Sequence, residues 1–167
     1  MIGIDHDLLS SAMTWTTGIL GLVLLLLQWF RMRSFKPSFM SVQFATSIEG
    51  LQDILDSWTP GQRSTHTRML LVDFVALACY GSWGYLASTA PNDAWLINVP
   101  AWLRQIVPFL MPAAAFADAC ENAYLLWVTA ERPSSFTRRW FLLAKFATIA
   151  KFGILIAFLL IFIAYDA

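Results

Sequence analysis

The chain has 167 residues, 58% of them hydrophobic and 13% charged, with mean hydropathy +0.60; an ordinary soluble domain has about a quarter of its residues charged. A formal net charge of zero argues against a nucleic-acid partner, which needs a basic surface to neutralise phosphates. The composition is that of an integral membrane protein, with membrane lipids as its first partners.

Four runs reach the roughly 20 residues that a helix needs to cross about 30 Å of hydrocarbon: 12–30, 69–88, 103–128 and 140–164. The first is long, follows acidic Asp5 and Asp7, and is followed rather than preceded by the basic RMRSFK, so it reads as a retained helix and not a signal peptide. After it comes the one sizeable segment between spans. Lys36-Pro37-Ser38 forms a turn there, and Ser47 with Glu49 marks a helix start, because both suit the unpaired N–H groups and positive dipole end. Ile48, Leu51, Ile54, Leu55 and Trp58 recur at helical spacing opposite Gln52, Asp53 and Asp56, and TPG ends the element. A short amphipathic helix over 47–58 is expected to lie on the bilayer surface or close the bottom of the bundle. Its acidic polar face makes attachment by charge alone a poor explanation, and docking of a protein partner is the other role.

The second and third spans are joined by STAPNDAWLINVPAW, where Trp95 and Trp102 suit the headgroup level. Pro108 and Pro112 then remove two backbone donors from the third span, which predicts a kink or local unwinding in its first half. Lys and Arg set the orientation. Arg31, Arg33, Lys36, Arg63 and Arg68 fall between the first two spans, and Arg132, Arg138 and Arg139 between the last two. The other side has only Arg104, beside Asp5, Asp7, Asp93 and Asp166. These counts place both termini outside the cytoplasm and make the fold an all-α, four-span bundle in a single membrane domain.

The chemistry lies in polar residues inside the spans: Asp73 and Tyr80 in the second, Asp118, Glu121 and Asn122 in the third, Lys145 and Lys151 in the fourth. A charge at the bilayer centre costs about 2.5–3.5 kcal/mol on insertion scales, so these groups are expected to face one another. Helical spacing puts Asp118, Glu121 and Asn122 on one stripe, and Asp73, Tyr80, Gly81 and Gly84 on another, whose glycines allow close approach of a neighbour. Depth is counted from the basic residues at about 1.5 Å per residue. Asp73 and Lys145 then form a shallow layer, while Tyr80, Lys151, Glu121 and Asp118 form a deep one. Three carboxyl groups against two ammonium groups leave one carboxyl protonated or meeting a cation, with Asp118 or Glu121 the candidates.

No cofactor is expected. His6 and His66 lie outside the predicted spans, Cys79 and Cys120 form no C-x-x-C pair, and there is neither a nucleophile motif nor a phosphate-cradling glycine loop. Three readings remain for the polar set: a pocket for an amphipathic small molecule or a proton or cation, in a transport or sensing component; an intramembrane enzyme doing acid-base chemistry on a lipid-like substrate; and a non-catalytic subunit or homo-oligomer. Interhelical glue alone competes with all three, since buried pairs also fix register.

FATSIEGLQDILDSW, LVDFVALACYGSW, ADACENAYLL and KFATIAKFGIL together resemble a loose group of uncharacterised bacterial four-helix membrane proteins. These have Asp-Phe early in the second helix, Asp-x-x-Glu-Asn in the third and Lys-Phe in the fourth. The resemblance runs from Phe44 to the C-terminus, implies a four-helix bundle in a bacterial inner membrane, and brings no activity with it. The chain is also similar to sterol isomerase-like four-helix proteins in placing acids in a membrane pocket, and departs from them in having no histidine in a predicted span.

Overall fold

The computed structural model describes residues 6–89, 98–131 and 138–165. The expectations for Asp5, Asp93, Trp95, Arg132 and Asp166 fall outside them. Six helices follow in order: α1 (His6–Met32), α2 (Phe39–Gln43), α3 (Ile48–Ser57), α4 (Pro60–Thr89), α5 (Ala101–Glu131) and α6 (Arg138–Tyr165). Among the described residues there is no strand. α1 from Ser11 onward, α4 and α6 are each long and apolar enough to cross a membrane. The 31-residue α5 falls short on composition, because its two prolines and its acidic groups dilute an otherwise apolar sequence.

α3 begins as its cap dictates. The Ser47 hydroxyl accepts from the Gly50 N–H at 3.0 Å, with Glu49 in the first turn. Its apolar stripe then turns inward: Leu51, Leu55 and Trp58 are buried with Phe35, Leu70 and Val128, so α3 closes one end of the bundle. The Trp58 indole N–H donates to the Pro37 carbonyl at 3.0 Å, which ties the α1–α2 turn to that plug.

TPG does more than end α3. The Thr59 hydroxyl accepts from the Gln62 N–H, and the Gln62 side-chain oxygen accepts from the Thr59 N–H at 2.9 Å, a reciprocal capping box with Pro60 in the first helical position. α4 therefore starts at Pro60, more than two turns before the 69–88 core that hydropathy marks. α5 likewise stays helical through Pro108 and Pro112, which corrects the expected unwinding. Only two backbone donors are lost to the prolines, and the packed flank of Val107 and Leu110 on Phe158 and Ile161 of α6 holds the helix across them.

The four long helices pack in the order α1–α4–α5–α6. α1 and α6, at the two edges, share no packing of that extent, so the layer is open between them. The inner pair approaches closely. A methyl group at Gly81 would stand 3.1 Å from Ala115 Cβ, and one at Gly84 would fall on the Met111 side chain near its backbone. The edge helices keep broad apolar faces exposed, including Leu22, Leu26 and Phe30 on α1 and Phe146, Ile149 and Leu160 on α6.

Gly84→Ala is expected to lower stability by about 1–3 kcal/mol through overpacking against Met111. Gly153 has nothing within 4 Å of an added methyl group. Gly153→Ala should leave stability unchanged or raise it by up to about 1 kcal/mol. Thermal unfolding of both variants in one detergent checks the pair.

Candidate functional site

Antiparallel α4, α5 and α6 bring their polar residues to one height. Asp73 lies about 20 Å along α4 from Pro60, and Lys151 and Asp118 lie about as far from Arg138 and Glu131, at about 1.5 Å per residue. Asp73 therefore belongs with the deep groups, which corrects the shallow layer expected from counting at Arg68. The count went astray because Arg68 lies inside α4 and does not mark its start.

Lys151, 4% exposed, is the cation of the cluster. Its ammonium donates to Asp118 Oδ1 at 2.6 Å and stands 2.8 Å from Glu121 Oε2. Glu121 is 1% exposed, and neither of its oxygens makes an aligned hydrogen bond, so its contact with Lys151 is an ion pair held by charge. Asp73 is bound from two sides: Gln28 Nε2 donates to Oδ1 at 2.6 Å, and Asn122 Nδ2 donates to Oδ2. Asn122 is fully buried, and its Oδ1 has no partner. The Tyr80 hydroxyl is also buried without a partner.

Lys145 does not pair with Asp73. Its ammonium donates to the carbonyl oxygens of Gln43 and Val42, at the C-terminal end of α2, where free carbonyls attract a cation. Phe44, just past α2, stacks on Phe152 of α6 with ring centroids 5.8 Å apart. Together these contacts pin α2 to α6.

The opening between α1 and α6 is a cleft of about 410 Å³. Asp73, Tyr80, Asp118 and Lys151 lie deep in it, Leu25, Gln28 and Trp29 of α1 form one side, and Phe152 and Leu155 of α6 the other. Phe39, Met40 and Gln43 from the α2 segment and Met111 of α5 complete the lining. Glu121 and Asn122 do not line the cleft; each contacts a residue that does, Lys151 and Asp73 respectively. Of the seven candidate residues, the structure gathers Asp73, Tyr80, Asp118, Glu121, Asn122 and Lys151 at the cleft, and turns Lys145 to α2.

Sequence reading missed Gln28. A carboxamide near the end of an apolar run was the available signal, but without knowing that α1 packs on α4 it had no partner to suggest. His66, expected outside the spans, lies instead inside α4, a helix long and apolar enough to cross a membrane. It is 3% exposed in α4, with its ring 5.0 Å from that of Trp58 and Nδ1 3.4 Å from the Thr129 hydroxyl, and it belongs to the packing under α3. Among the described residues, no three His, Cys, Asp or Glu side chains converge in a way that could hold a metal ion.

No family model, curated protein or solved structure matches the chain.

The geometry supports a specific expectation for Lys145→Met. Removing the two charge-assisted bonds to α2 should free the segment around Phe44, and chymotryptic cleavage after Phe44 should quicken by about tenfold while the long helices remain intact. Timed proteolysis of the full chain measures it.

Proposed function

We propose that the chain is a four-span membrane protein that binds an amphipathic, lipid-like molecule in the cleft between α1 and α6. One observation carries the reading: the same opening of about 410 Å³ combines Asp73, Asp118 and Lys151 with the apolar sides formed by Leu25, Trp29, Phe152 and Leu155. A polar cluster that served only to register helices would be better closed off, since competing polar groups at a mouth weaken interhelical bonds. A head group can reach the charged residues while its chain lies along α1 and α6, the two helices with the broadest exposed apolar faces. The unpaired edges of the layer give such a molecule a route from the side, within the bilayer.

In this reading α5 crosses the bilayer as the fourth span. It runs about 46 Å at 1.5 Å per residue, which is enough to cross. Its Glu121 and Asn122 are buried, away from lipid. The end closed by α3 carries Arg31, Arg33, Lys36, Arg63 and Arg68 and faces the cytoplasm, with both termini on the other side of a bacterial inner membrane. The protein is then a small sensing or transport component whose state follows occupancy of the cleft.

Native mass spectrometry of the chain extracted with its surrounding lipids tests this. A co-purifying amphiphile is expected, and a bulky residue at the mouth, Leu25→Trp or Leu155→Trp, should deplete it by about tenfold by removing the space it fills. Leu143 lines a separate groove between α5 and α6, so Leu143→Trp should leave it unchanged. Equal retention by all three variants would sink the proposal.

A further inference from the structure

The polar groups around the cleft are unequally committed. The ammonium and amide groups each already serve a protein acceptor: Lys151 with Asp118 and Glu121, Gln28 and Asn122 with Asp73, Lys145 with the α2 carbonyls. What remains unpaired is acceptor capacity. Asn122 Oδ1 and Glu121 Oε1 are buried without a hydrogen bond, on side chains that are 0% and 1% exposed. The Tyr80 hydroxyl, also unpaired, can accept as readily as donate. Buried polar atoms left this way cost free energy, and of the three the Tyr80 hydroxyl is the one that lines the cleft, within reach of a bound group.

Charge points the same way. Asp118 and Glu121 share the ammonium of Lys151, Asp73 is held by neutral amides alone, and Lys145 is turned toward α2. An anionic head group would meet this excess of carboxyl groups with only the Tyr80 hydroxyl unpaired beside them to receive it. A protonated amine would add the missing positive charge and bring N–H donors to the Asp73 and Asp118 carboxyl groups that line the cleft. The absence of a convergent metal-ligand set among the described residues leaves an organic cation as the better fit.

Resting on the cleft reading above, we infer that the amphiphile it takes carries a cationic, hydrogen-bond-donating head, a protonated primary or secondary amine on an alkyl chain, received by Asp118 and Asp73 beside Tyr80. The amine enters tail-outward between α1 and α6, so that its charge ends beside Asp118 and its chain beside Leu25 and Leu155.

The experiment compares radiolabelled n-decylamine, n-decanol and decanoate for saturable binding to the full chain in phosphatidylcholine nanodiscs at neutral pH, with empty nanodiscs subtracted. Decylamine is expected to bind at least about tenfold more tightly than decanol, because charge-assisted hydrogen bonds are about twice as strong as neutral ones, and decanoate should show no saturable binding. Asp118→Asn should remove most of the preference for the amine over the alcohol. Leu25→Trp, at an exposed position on the mouth, should weaken binding of both. Equal binding of amine and alcohol, or a preference for decanoate, overturns the inference about the head group while leaving an amphiphile site standing. No saturable binding of any of the three probes overturns both. The comparison on the unaltered chain decides these outcomes whether or not the Asp118 variant folds.

Discussion

The structure depends on one buried ammonium. Lys151 stands between Asp118 and Glu121 in surroundings where an isolated charge of either sign would cost several kcal/mol, so α5 and α6 can pack only in the register that brings the three together. An ion pair of this kind is weak evidence for stability, since well-packed hydrocarbon in its place is often as good. It is strong evidence for specificity, because removing one partner leaves a charge buried without its counterpart.

The other contacts extend that constraint across the layer. Asn122, next to Glu121 on α5, carries it to Asp73 of α4, and Asp73 to Gln28 of α1, so two sets of polar contacts that share α5 link all four long helices. Close approach of α4 and α5 at Gly81 and Gly84 sets the distance at which those side chains meet. At the end of the layer, Lys145 and Phe44 draw α2 toward α6, and Trp58 holds the turn before α2 against α3. The opening between α1 and α6 is thus bounded by fixed groups on every side that the described residues supply.

Much of this was legible in the sequence, each part for a physical reason. Three of the four apolar runs are long enough to cross a membrane, because hydropathy over 20 residues reports solvent preference directly. The Ser47 cap and the stripe from Ile48 to Trp58 gave α3 its limits and its buried face, because capping and periodicity are local. Gly81 and Gly84 marked a face of α4 open to a close neighbour, and the structure puts α5 there. The depth of Asp73 was misread because the Thr59–Gln62 capping box starts a helix where TPG alone reads as a stop. The partner of Lys145 was illegible, since α2 is five residues long and carries no periodic signal. The open edge was illegible too: four largely apolar helices do not state the order in which they stand, and only that order puts Gln28 beside Asp73 and leaves α1 apart from α6.

Lys151 and Asp118 meet as an ion pair at the wall of the cleft, and their coupling is what organises it. A double-mutant cycle on unfolding stability, using Lys151→Met, Asp118→Asn and both together, measures that coupling directly. A coupling free energy well above the roughly 0.6 kcal/mol average for hydrogen bonds between membrane helices is expected, with the double variant more stable than Lys151→Met alone. Additive effects, within about 0.3–0.5 kcal/mol, would show that the two side chains do not act together and would contradict it.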